Sequence, residues 1–160
     1  MLMLMRILHV GFGVFWVGTL FFTAFFLFPA MRDAGPDGAK VGAQLMKRNF
    51  TNIMPAAAIV AILSGVWLIW RVSGGFQNGY MGTGPGKAYS MGGGVAIIAL
   101  VIGLIWVRPS MLKAARLSQT GDPQAMAEAG RLRARAGKAN LWIAVLLSIT
   151  VVTMAIGRYL

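Results

Sequence analysis

Residues 7–31 read ILHVGFGVFWVGTLFFTAFFLFPAM and contain no charged side chain; Arg6 and Arg32 bound them. A helix crosses the hydrocarbon core of a bilayer with about 20 apolar residues, so this run is long enough to span. Three more such runs follow, between Arg48 and Arg71, between Lys87 and Arg108, and between Lys138 and Arg158. We read spans at 7–30, 52–71, 89–107 and 139–158. The fold expected is an all-α integral membrane four-helix bundle, a single transmembrane domain over 1–160 with cytoplasmic helical extensions.

Composition supports this reading. The chain has 160 residues, 58% of them hydrophobic and 12% charged, which leaves too little polar surface to cover four apolar helices in water. It has no cysteine, which excludes a disulfide scaffold and any Cys-ligated zinc or iron–sulfur site. A single histidine, His9, excludes a multi-His metal centre within one chain. The first span has a longer apolar stretch than a signal-peptide core and no small-x-small cleavage site after it, so it reads as a retained helix ending near Phe28, Pro29, Ala30 and Met31.

Lysine and arginine set the orientation. The loops after spans 1 and 3 carry eleven of these residues and the opposite side only four, Arg6, Arg71, Lys87 and Arg158. Loops 31–51 and 108–138 are therefore expected in the cytoplasm, with both termini outside (N-out, C-out) in a bacterial inner membrane. The net charge of +11 reads as positive-inside residues beside anionic headgroups, not as a nucleic-acid surface.

The cytoplasmic loops read as helical. Asp37 and Gly38 open a stretch over 39–50, and Thr51 or Asn52 caps a fresh helix with Pro55 in its first turn. Asp122 is a suitable N-cap and Pro123 a suitable first helical residue, so 124–140 runs straight into span 4. Spans 3 and 4 then form a long hairpin with its tip at Gly121, and Pro109 is expected to kink the rising arm. The outward loop 72–88 is rich in glycine and reads as irregular backbone. No internal repeat is evident.

At 100° per residue, His9, Gly13, Trp16, Leu20, Thr23 and Leu27 share one stripe of span 1. Seven phenylalanines of the same span lie off that stripe. The polar stripe is expected to face the bundle and many phenylalanines the lipid. Gly13, one turn from His9, removes bulk where a helix or a flat ligand would approach. Gly92–Gly94, Gly103, Ser64-Gly65, Ser148, Thr150 and Thr153 read as packing positions. Arg131, Arg135 and Lys138 fall on one face of the last helix, with Arg133 turned away.

No carboxylate lies within a span, which leaves no candidates for proton pumping or paired-acid chemistry. No nucleophilic triad and no phosphate-binding loop can be assembled, so no catalysis of the chain's own is expected. What remains is His9 with Met5, which share a face at i,i+4. Three readings of His9 stand side by side: a histidine hydrogen-bonded to a neighbouring helix, an axial ligand of haem b, or, with Met5, a copper ligand. Arg71 and Arg158 would meet haem propionates near the outer surface, Gly13 would leave room for the ring, and Trp67 and Trp70 would wall the pocket.

Leu8-His9-Val10 followed by Trp16-Val17-Gly18, with the ending Met154-Ala155-Ile156-Gly157-Arg158-Tyr159-Leu160, resembles a group of small bacterial four-helix membrane proteins. The group includes copper-resistance protein D-like domains and the membrane protoporphyrinogen oxidases. The first branch implies copper handling, the second haem ligation by the first-span histidine. Only His9 carries over; the oxidases' lysine in a later span has no counterpart, since Lys87 precedes span 3. The alternative to a cofactor protein is a non-catalytic accessory subunit of a larger membrane complex. Expected partners are the lipid bilayer and either that complex or a homo-oligomer.

Overall fold

The computed structural model describes residues 1–76 and 79–160; positions 77 and 78 of the glycine-rich loop lie outside the described residues. Among the described residues, seven α-helices follow in order: α1 (Leu2–Phe22), α2 (Phe28–Asp33), α3 (Pro36–Lys47), α4 (Phe50–Val72), α5 (Gly84–Ile102), α6 (Arg108–Leu117) and α7 (Pro123–Ile156). They form four continuous rods long and apolar enough to cross a membrane, Leu2–Asp33, Phe50–Val72, Gly84–Leu117 and Pro123–Tyr159.

Each rod contains its expected span and extends beyond it at both ends. Helix does not stop at Phe28–Met31: a π-helical segment, Thr23–Leu27, joins α1 to α2 and carries the rod to Asp33. A second π segment, Gly103–Val107, joins α5 to α6, and the arm continues as helix through Pro109. In both rods the segment is followed by one residue and then a proline, Pro29 and Pro109, 80 positions apart. A proline cannot donate to the carbonyl four residues earlier and its ring collides with it. A wider π turn just before the ring is one way to accommodate both.

Rod three starts at Gly84, earlier than 89. The Thr83 side chain caps it, accepting from the Gly86 N–H at 3.2 Å. Part of the loop expected to be irregular is thus helical, with a 3₁₀ turn at Tyr80–Gly82 before it. Helix α3 begins at Pro36 and ends at Lys47, three residues ahead of the reading over 39–50 at each end. Helix α4 begins at Phe50 after Asn49, which takes a left-handed conformation (φ 57°), so neither Thr51 nor Asn52 is its cap. Pro55 lies deeper than the first turn. Asp122 does cap α7, accepting from Ala125 N–H at 2.8 Å, with Gly121 at the hairpin tip.

Rods one and two pack against each other, as do rods three and four. Contacts of α4 with α5 and of α1 with α7 join the two pairs. The centre is built on small side chains, Ala57, Ala58, Ala96 and Ala99, wedged by Trp16, Ile143 and Leu147. Small residues let helix backbones approach where no hydrophobic drive separates protein from lipid. Gly92 meets Thr153 Oγ1, and the Thr150 hydroxyl donates to its carbonyl at 3.2 Å. Gly93 and Gly94 have open space instead. Five phenylalanines of α1 and its π segment are exposed, Phe12, Phe15, Phe22, Phe25 and Phe26, whereas Phe21 packs on the core and Phe28 lines a cleft.

Candidate functional site

The stripe on rod one faces the bundle. Trp16 and Thr23 are buried, Leu20 packs on the core, and His9 reaches α4. His9 Nδ1 lies 2.7 Å from the carbonyl oxygen of Ala61. A carbonyl only accepts, so Nδ1 carries the hydrogen, and no hydrogen bond among the described residues engages Nε2. The same carbonyl accepts from the Ser64 hydroxyl at 3.0 Å, which also donates to Val60 O at 2.6 Å.

Gly65 makes this contact possible. A Cβ there would lie 2.7 Å from His9 Cε1 and 2.9 Å from Nδ1. The imidazole therefore lies against bare backbone, one turn beyond the carbonyl it bonds. Close approach at His9 comes from Gly65 on the facing helix. Gly13 has no atom within 4 Å of where its Cβ would stand, so no helix approaches there and the space beside it is open.

The remaining site candidates share one end of the bundle with His9 but do not converge on it. Met5 is half-buried one turn away along α1. Arg71, in the last turn of α4, and Arg158, after α7, are exposed. The Arg158 guanidinium sits 4.9 Å from the centre of the Tyr159 ring. Trp67 is half-buried and Trp70 exposed. Among the described residues, no hydrogen bond or ion pair links Met5, Arg71 or Arg158 to His9, and no three of His, Cys, Asp and Glu form a metal-holding group.

A second polar feature lies toward the other end, and no residue count pointed to it. Thr23, in the first π segment, and Asn140, in α7, are each 1% exposed. Asn140 Nδ2 donates to Thr23 Oγ1 at 3.1 Å, and Thr23 Oγ1 donates to Leu20 O at 3.0 Å. Both line a cleft between the two helix pairs. Asn140 had a sequence signal: it stands alone among apolar residues at the start of the fourth charge-free run, where an amide is costly unless used. Ala61 had none, because its contribution is a backbone carbonyl.

Comparison with protein-family models, with curated proteins and with solved structures gives no match to this chain.

Proposed function

We propose that this chain is a small bacterial inner-membrane protein that holds haem b through His9 near the outer face, without catalysis of its own. The observation that carries the reading is the Nδ1–H bond to Ala61 O. Histidines that ligate metals usually give their other ring N–H to a carbonyl or carboxylate, which fixes the tautomer and the ring plane. Here that second partner is present and Nε2 is the nitrogen left over. The first-span Leu8-His9 pair of the protoporphyrinogen oxidase-like proteins points the same way.

Three residues at the same end of the bundle support the reading. Gly13 leaves room beside the imidazole, and Arg71 and Arg158 supply cations at the same end for carboxylates. Haem bound by one imidazole supplies a one-electron couple tuned by its axial ligand. His9 would hold the group through Nε2, with Ala61 O orienting the ring and Ser64 sharing that carbonyl. A second ligand would come from His9 of a second copy for haem, or from Met5 for copper. Lysine and arginine asymmetry favours both termini outside, with 31–51 and 108–138 in the cytoplasm.

The test is a visible spectrum of protein purified gently from its own membrane, with metal analysis of the same sample. A Soret band that shifts on reduction and disappears in His9→Ala supports the reading. Near-stoichiometric copper lost in both His9→Ala and Met5→Leu replaces haem with a Met–His copper site. A featureless, metal-free sample overturns both and favours the accessory-subunit alternative, which predicts a stoichiometric co-purifying protein.

A further inference from the structure

The cleft between the two helix pairs has an amphiphile's pattern of surfaces. It is lined almost wholly by apolar surface and is open at its mouth. Trp16, Ala99 and Ile143 line its inner end, Met54 lies beside it on α4, and Met111 lies one turn beyond Arg108 on rod three. Methionine side chains adapt to irregular apolar shapes, which suits a flexible chain. Arg108 lies among the lining residues at the other end. Along rod three, Ala99 to Arg108 is nine residues, a rise of roughly 13 Å. One leaflet's share of a hydrocarbon core about 30 Å thick is close to that length.

Two polar groups differentiate this space from a packing defect. Arg108 donates to Asn52 Oδ1 at 2.9 Å and, among the described residues, has no carboxylate within ion-pairing distance. Asn140 Nδ2 spends one of its two hydrogens on Thr23, and no second hydrogen bond from Nδ2 is made among the described residues. It is nonetheless 1% exposed, and the cleft is the space it borders. A buried amide with spare capacity beside a cavity is poised for a polar group on whatever fills it.

We propose that this cleft binds one acyl leg of an anionic phospholipid from the leaflet on the side of the basic loops. The phosphate pairs with Arg108, the ester carbonyl accepts the second Nδ2 hydrogen of Asn140, and the chain runs past Met54 toward Trp16. The site shares no residue with His9, so its failure leaves the His9 reading untouched.

The experiment uses the full chain in detergent and native mass spectrometry with three probes: a monoacyl phosphatidylglycerol, a monoacylglycerol of the same chain, and glycerol phosphate. One retained phosphatidylglycerol per chain is expected, with the neutral amphiphile at least tenfold weaker and the bare head group not retained. Arg108→Gln should erase the preference for phosphate. Asn140→Leu should weaken both amphiphiles several-fold without changing that preference. Gly103→Leu adds a side chain on the cleft wall, where a Cβ meets Ile143 at an ordinary 3.8 Å, and should abolish chain binding with helix content unchanged. Equal retention of the charged and neutral amphiphiles by the wild type, or binding indifferent to both Arg108→Gln and Gly103→Leu, overturns the proposal.

Discussion

A single carbonyl and a single missing Cβ define what His9 is. The imidazole fits because Gly65 offers backbone where any other residue would place an atom 2.7 Å from its Cε1. Gly65→Val should displace the ring, break the bond to Ala61 O and cost about 1–3 kcal/mol by overpacking. Thermal unfolding in detergent measures the loss; if haem is bound, its Soret band should weaken in the same variant. The Thr23–Asn140 pair obeys a different asymmetry. Thr23→Val leaves the Asn140 amide buried without its acceptor, which costs about 1–3 kcal/mol. Removing both groups in Thr23→Val/Asn140→Leu should recover part of that loss, because an absent polar group needs no partner. A double-mutant cycle on unfolding midpoints reads the coupling, and strict additivity would count against the pair. Sequence periodicity located His9 and Thr23 on the right face because the wheel depends only on spacing. It had no access to Ala61 O, a backbone atom, nor to the facing glycine, whose role depends on how two helices are placed side by side.

Elements were legible where their signals are local and partly hidden where geometry compensates. Four charge-free runs became four rods, and Asp122-Pro123 became the start of α7, because hydropathy and capping act within a few residues. Asp122→Ala should cost about 1 kcal/mol as the capping bond is lost. Hydrogen exchange should quicken at Ala125 and its neighbours while the buried half of α7 stays unchanged. Pro29 and Pro109 carry a terminating signal, but a π segment ahead of each absorbs the clash and the helix continues. Gly38 illustrates the same limit from the other side. It was read only as a helix opener, yet a Cβ there would run into the Met31 carbonyl, so it is the point where α3 folds back on α2. Gly38→Ala should therefore loosen α3 and speed exchange across Pro36–Lys47 without melting the rods.

At the scale of the molecule, the question is which end of the bundle faces which compartment. The end holding Arg108, the α3 helix and the α6–α7 hairpin carries most of the cations, and few of them are neutralised. Glu128 faces both Lys113 and Arg131 at 3.9 Å, Asp33 bonds Arg32 and Asp37 bonds Lys40. Arg133 folds inward to Ser118, while Arg131, Arg135 and Lys138 point to solvent. Those exposed side chains are the ones an anionic membrane surface attracts, at about 1 kcal/mol per charge. The other end has four cations spread over two termini and one loop. Since translocating clustered Lys and Arg is disfavoured, the hairpin end should stay in the cytoplasm. The chain supplies a clean way to check, because it has no cysteine of its own. Met81→Cys and Gln119→Cys place one thiol each at exposed positions on opposite ends. A membrane-impermeant maleimide should label Met81→Cys in intact cells and Gln119→Cys only after the membrane is opened. The reverse pattern would put His9 at the cytoplasmic end and the lipid cleft in the outer leaflet, and it would require both sites to be reassigned to the opposite face.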